Sequence, residues 1–192
     1  MKRTSKIGAL VLGAALLGLS LSGCASTNTP NGADQKQMAP ESQHGSDHTM
    51  SITDKQSFAE AMIPHHQQAI DISEFAPQNT TNQGILAIAE KIISEQGPEI
   101  EKMTPWLNGK SVDYTMMMDG MLSTTQINTL RGVKEADFDM LYIQYMIQHH
   151  EGAVKMAADA LGLDDPELTD FANEIIVTQS AEIEELMALQ NN

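Results

Sequence analysis

Met62-Ile-Pro-His-His-Gln-Gln-Ala69 and Met146-Ile-Gln-His-His-Glu-Gly-Ala153 carry one phrase twice, Met-x-x-His-His-x-x-Ala, at an offset of 84 residues. Four of the chain's six histidines lie in these two copies. A second phrase follows each copy. Ala89-Glu-Lys-Ile-Ile-Ser-Glu-Gln-Gly-Pro-Glu-Ile100 and Ala172-Asn-Glu-Ile-Ile-Val-Thr-Gln-Ser-Ala-Glu-Ile183 share Ala-x-x-Ile-Ile-x-x-Gln-x-x-Glu-Ile, offset by 83. The one-residue difference falls in a loop. The apolar positions recur at spacings of three and four, the period of one helix face. The chain therefore reads as a duplicated helical hairpin. Neither hairpin can bury its apolar face alone, so the two should pack as an all-α four-helix bundle.

Working outward, Phe58, Met62, His65, Ala69 and Ile72 form the stripe of the first helix, with Thr53 or Asp54 as N-cap. Pro77 and residues 79–82 end it. A second helix spans about Thr81 to Met103, and Gly97-Pro98 predicts a kink or break in it. Residues 108–122 read as a linker containing Met116, Met117, Met118 and Met121. Ser123-Thr-Thr-Gln126 has the form of a capping box, opening a short helix to about Leu130. A third long helix covers about Ala136 to Leu161. Pro166, suited to a first helical position, opens a fourth that runs to about Leu189.

The first residues read as targeting rather than fold. Lys2, Arg3 and Lys6 precede an apolar run, Ile7 to Leu21, too short for a membrane span and right for a secretory segment. The run ends in Leu21-Ser22-Gly23-Cys24, which resembles a bacterial lipoprotein cleavage box. The resemblance implies a signal peptide over 1–23, cleavage before Cys24, a lipid anchor on that residue, and an exported protein in the cell envelope. Residues 24–52 are polar and Pro/Gly-rich, the composition of a disordered tether. Residues 53–192 make the bundle domain. Cys24 is the sole cysteine, so lipidation leaves no disulfide and no thiolate ligand.

Cleavage removes three of 11 bases and none of 26 acids, leaving a net charge of −18. This excludes nucleic acid and disfavours anionic lipid surfaces as partners. Most of these acids read as a solvated surface. The oligomeric state stays open, a homo-oligomer included.

The doubled phrase is where chemistry is concentrated. Adjacent His65 and His66 lie about 100° apart on the helix, with Met62 one turn back and Ala69 one turn forward, between them. Met146, His149, His150 and Ala153 repeat the patch, and Met156 adds a sulfur two turns beyond His149. The following helices offer Gln96, Glu99 and Met103, and Gln179, Glu182 and Leu186. A single histidine on an apolar stripe is usually a packed core residue, and methionine usually fills gaps. Two equivalent His-His pairs are harder to explain so, because burying unpartnered imidazoles costs stability. Thioether beside imidazole favours Cu(I), and imidazole also accepts Cu(II). Zinc rarely uses methionine, and the predicted bundle helices lack the Glu-x-x-His of di-iron bundles, which weakens zinc and iron. The linker methionines suggest a mobile copper hand-off loop, and His44, His48 and Met50 an accessory metal-collecting tail or a chance polar cluster. Glu99 and Glu182 are candidate ligands, imidazole partners or surface charges.

The paired His-His phrases, with the Gln-x-x-Glu-Ile helices after them, resemble the bacterial domain-of-unknown-function 305 family over about Ser57 to Leu189. The resemblance implies a ferritin-like bundle, usually exported, with copper binding and copper tolerance in some relatives. Carried over by position, it singles out Met62, His65, His66, Met146, His149, His150 and Met156. Leu186 stands where a methionine is expected. Three functions remain: a copper-sequestering envelope protein; a ferritin-like oxidase using Cu, Fe or Mn with Glu99 and Glu182; or a metal-free interaction module.

Overall fold

The computed structural model describes residues 50–191. The signal peptide, Cys24, His44, His48 and nearly all of the tether lie outside that range. The described residues are helical: α1 (Lys55–Ser73), α2 (Ala76–Asn79), α3 (Gln83–Met103), a 3-10 turn (Thr104–Leu107), α4 (Thr124–Gly132), α5 (Glu135–Ala160) and α6 (Pro166–Gln190). None of these helices is long and apolar enough to cross a membrane.

Local signals start each element. Asp54 caps α1, its carboxylate accepting from Ser57 N–H at 2.7 Å while Ser57 Oγ accepts from Asp54 N–H. Ser123 and Gln126 form the predicted capping box of α4. Asp165 caps α6, with Pro166 as its first residue. The expected break at Gly97-Pro98 does not occur, and α3 runs on through both residues. A residue before proline is normally crowded by the ring against its own Cβ. Gly97 has no Cβ, so that conflict is relieved. Proline also costs one ladder hydrogen bond, which the helix absorbs without ending.

α1 packs on α3 and α5 on α6, and α1–α5 and α3–α6 contacts close the four-helix bundle. Ion pairs Lys55–Glu167, Lys91–Glu185 and Lys102–Glu174 cross between the hairpins at 2.6, 2.6 and 2.9 Å. Being exposed, each contributes roughly 0–1 kcal/mol.

The apolar core is divided in two. One compartment gathers Phe58, Met62, Met103, Trp106, Phe171 and Ile175. Phe171 meets Phe58 and Trp106 edge-on, with ring centroids at 6.4 and 5.3 Å. The other gathers Ile72, Ile85, Ile92, Phe138, Tyr142, Met146 and Leu186. There Tyr142 Oη shares a buried 2.8 Å hydrogen bond with Ser73 Oγ. Every long helix crosses from one compartment to the other near its middle, and the crossing point is always polar: His65-His66 on α1, Gln96 and Glu99 on α3, His149-His150 on α5, Gln179 and Glu182 on α6. The repeat thus appears as a pseudo-two-fold axis. It exchanges the compartments (Phe58 and Met62 for Tyr142 and Met146) and maps the polar layer onto itself.

Candidate metal centre

All four histidines are completely buried. Equivalent rings His65 and His149 lie against each other on the pseudo-axis, centroids 3.8 Å apart and planes tilted by 43°. His66 and His150 flank them, each held by the glutamate of its own hairpin. His66 Nε2 lies 2.8 Å from Glu99 Oε2, and His150 Nε2 lies 2.9 Å from Glu182 Oε2. His65 Nε2 donates to the Asp119 carbonyl at 3.0 Å. In these three rings Nε2 is engaged by an oxygen acceptor, and Nδ1 is the nitrogen left over for a metal when the ring is neutral. Those three Nδ1 atoms and both nitrogens of His149 make no close hydrogen bond within the protein, although the His65 backbone lies within electrostatic reach of the His149 ring. The side-chain amides of Gln96 and Gln179, each 1% exposed, also lack partners.

The electrostatics hold the central rings neutral. Burial, with the adjacent His66 and His150 adding to it, lowers His65 from 6.5 to about 3. Burial and the three other imidazoles push His149 well below its ordinary value. Neutral imidazole is the form that binds metal. Glu95, also at the layer, is raised by burial and then by the Glu182 carboxylate.

A purely structural layer would satisfy its polar atoms, since each one left buried and unpaired costs about 1–3 kcal/mol. This layer leaves nine such histidine and glutamine atoms. Its donor set, basic ring nitrogens with thioethers one turn away, fits a soft cation. Among the described residues no group of three or more His, Cys, Asp or Glu is arranged to hold a metal ion. Cu(I) accepts as few as two soft donors.

The predicted methionines spread more widely than the histidines. Met62 and Met146 are fully buried one turn from the rings, in opposite compartments. Met103 is buried beyond Glu99, in the compartment of Trp106. Leu186 is equally buried in the other compartment, at the pseudo-equivalent position. Met156 lines a separate outer cavity.

The linker, residues 108–122, is fastened rather than loose. Gln68 grips the Leu122 backbone twice, at 2.6 and 3.1 Å. Gln148 donates to the Gly120 carbonyl, and Lys155 pairs with Asp119 at 2.6 Å. The strap sits directly on α5. A Cβ on Gly152 would lie 2.0 Å from the Asp119 carbonyl oxygen, and one on Gly120 would lie 2.6 Å from the Gln148 carbonyl oxygen. Gly120 also has φ +82, where glycine is favoured. Met118 and Met121 are buried under the strap, and Met117 is 53% exposed. Sequence reasoning missed the Asp119 carbonyl and Glu95. The available signal was Gly152, which stands where the first copy has Gln68.

Residues 55–190 match the family described as "Domain of unknown function (DUF305)". Among solved structures, CopM in its Cu(I)-bound form is 34% identical, with a TM-score of 0.61, over 73% of this chain and 98% of that one. CopM has also been solved with Cu(II) and with silver. A DUF305 fragment from Deinococcus radiodurans is 25% identical, TM-score 0.67, over 72% of this chain and 96% of its own. A DUF305 protein from Streptomyces coelicolor shares the fold at 24% identity and TM-score 0.63, over 69% and 88% of the two chains. No protein with a curated description matches the chain.

Proposed function

We propose that this chain, which belongs to the domain-of-unknown-function 305 family, is an exported protein that binds copper in its buried histidine layer and lowers the free copper concentration outside the cytoplasm. The observation that carries this reading is the state of the rings. Three imidazoles have Nε2 engaged by Asp119, Glu99 and Glu182, and their Nδ1 atoms have no hydrogen-bond partner inside a fully buried layer. The carboxylates orient the rings and raise their basicity. The neighbouring thioethers of Met62 and Met146 bias the donor set toward Cu(I). Met103 is a more distant member of the proposed set, and Met156, which lines a separate outer cavity, stands outside the layer. The CopM structures support copper as the cation, and the lipoprotein box at Cys24 supports attachment to the cell envelope. Release of a Cys24→Ser variant from the membrane fraction tests the anchor.

Titrating the metal-free domain with Cu(I) against a competing chelator tests the layer. Replacing His65, His66, His149 and His150 by alanine should abolish tight binding, and Glu182→Gln should weaken it by roughly 10–100-fold. Unchanged affinity in the four-histidine variant, with helicity retained, refutes the assignment. One observation favours a second reading, a ferritin-like oxidase: Glu95 and Glu182 bring two carboxyls to the same layer. Oxygen uptake with Cu(I) or Fe(II) as substrate separates an oxidase from a passive binder.

A further inference from the structure

A second cluster of sulfur lies outside the histidine layer. Met50, Met118 and Met156 line one cavity of about 330 Å³ together with Asp119, Lys155 and Asp159. The three methionines come from three places in the chain: the segment before α1, the strap, and α5. Met118 and Met156 are 8% and 6% exposed. Met118 and Met156 also belong to the apolar core, with Met50 packed against it; the same three border a space large enough for several waters, at about 30 Å³ each.

The charges around this space suit a cation. Lys155 Nζ is bound by Asp119 at 2.6 Å and lies 3.6 Å from Asp159. Two carboxylates therefore surround one ammonium, and the trio has a net charge of −1. Asp119 also joins the cavity to the layer. Asp119 lines the outer space with its carboxylate paired to Lys155, while its carbonyl accepts from His65 Nε2.

We propose that Met50, Met118 and Met156 form an outer thioether site for a soft monovalent cation, Cu(I) or Ag(I), next to the histidine layer. Thioethers are soft, neutral donors that favour Cu(I) over harder divalent ions. The choice of cation rests on the copper reading above; the site itself has its own donors and is tested separately.

Silver(I) added to the protein with 13C-methyl-labelled methionine and 15N-labelled histidine reads both places at once. The ε-methyl signals of Met50, Met118 and Met156 should shift as silver is added. A Met50→Leu/Met118→Leu/Met156→Leu variant, which keeps volume and apolarity, should bind one equivalent fewer while the imidazole signals still respond. Imidazoles that move while these three methyls stay still overturn the outer site and leave the layer standing. Methyls that move while the imidazoles stay still leave the outer site standing and overturn the layer. Unchanged stoichiometry in the triple variant also overturns the outer site. Should that variant fail to fold, the methyl shifts of the unaltered chain still decide.

Discussion

The two hairpins carry the same phrases in different surroundings. In the first, His65 is held by the strap at Asp119, and the Glu99 side chain paired with His66 keeps 17% exposure. In the second, neither nitrogen of His149 makes a close hydrogen bond with the strap, and Glu182 beside His150 is 1% exposed. Two off-repeat positions account for much of this. Gln68 uses its amide to hold the strap, whereas Gly152 offers bare backbone on which the strap rests. Glu95 brings an extra carboxyl to the layer where the second copy has Thr178. Repetition supplies a matched polar layer, and single departures from it set how each half meets the linker, by a side-chain grip at Gln68 and by bare backbone at Gly152.

The largest effect should be common to both halves. The unfolded chain takes up protons on these rings near pH 6.5, while the folded layer keeps His65 at about 3 and His149 well below its usual value. The unfolded state therefore binds more protons in this window, and stability falls as the pH drops from 6.5 toward 3. Both rings contribute to this loss in the same direction. Denaturant melts of the metal-free domain between pH 7 and 4 measure it. Glu95, raised above 4.5, acts in the opposite direction, so a Glu95→Gln background isolates the rings. His65→Gln and His149→Gln should flatten the slope equally; unequal flattening breaks the symmetry of the central pair.

The strap should show the sharpest asymmetry. Gly152→Ala places a methyl against the Asp119 backbone, and overpacking of this kind costs roughly 1–3 kcal/mol. We expect the upper end, because backbone rather than a flexible side chain must yield. Gln68→Ala, at the equivalent position, removes two hydrogen bonds and should cost about 1–2 kcal/mol. Urea unfolding compares them, and equal costs would mean that the strap is held alike by both halves. The smallest contrast lies in the glutamates. Glu182→Ala leaves a buried imidazole N–H unpaired and should cost about 2 kcal/mol, whereas Glu99→Ala, where water can replace the carboxylate, should cost about 1. A reversed order would refute the view that the second pair is the sealed one.

Much of this was legible in the chain itself. The doubled Met-x-x-His-His phrase and the Gln-x-x-Glu-Ile phrase mark the four points where the helices cross the polar layer. The helix starts at Asp54, Ser123 and Pro166 follow from local capping chemistry. What escaped reading depends on long-range contact. A backbone carbonyl such as that of Asp119 has no residue signature, and its approach to His65 depends on how residues 108–122 fold back. Gly97-Pro98 looked like a break because local propensity argues for one, yet tertiary packing carries the helix through. Met156 fell on the same stripe as His149, and helical spacing alone could not show that it reaches an outer cavity.

The contact between His65 and His149 has a consequence for ancestry. A residue touching its own counterpart is the mark of an isologous interface, in which one patch meets an identical patch across a dyad. A lone hairpin bearing these phrases would complete its layer only by associating with a twin. The present chain is most simply understood as such a homodimer fused end to end. Fusion released each position from its mirror image, so that Gly152 and Glu95 became free to differ from Gln68 and Thr178, an option closed to any assembly of identical subunits.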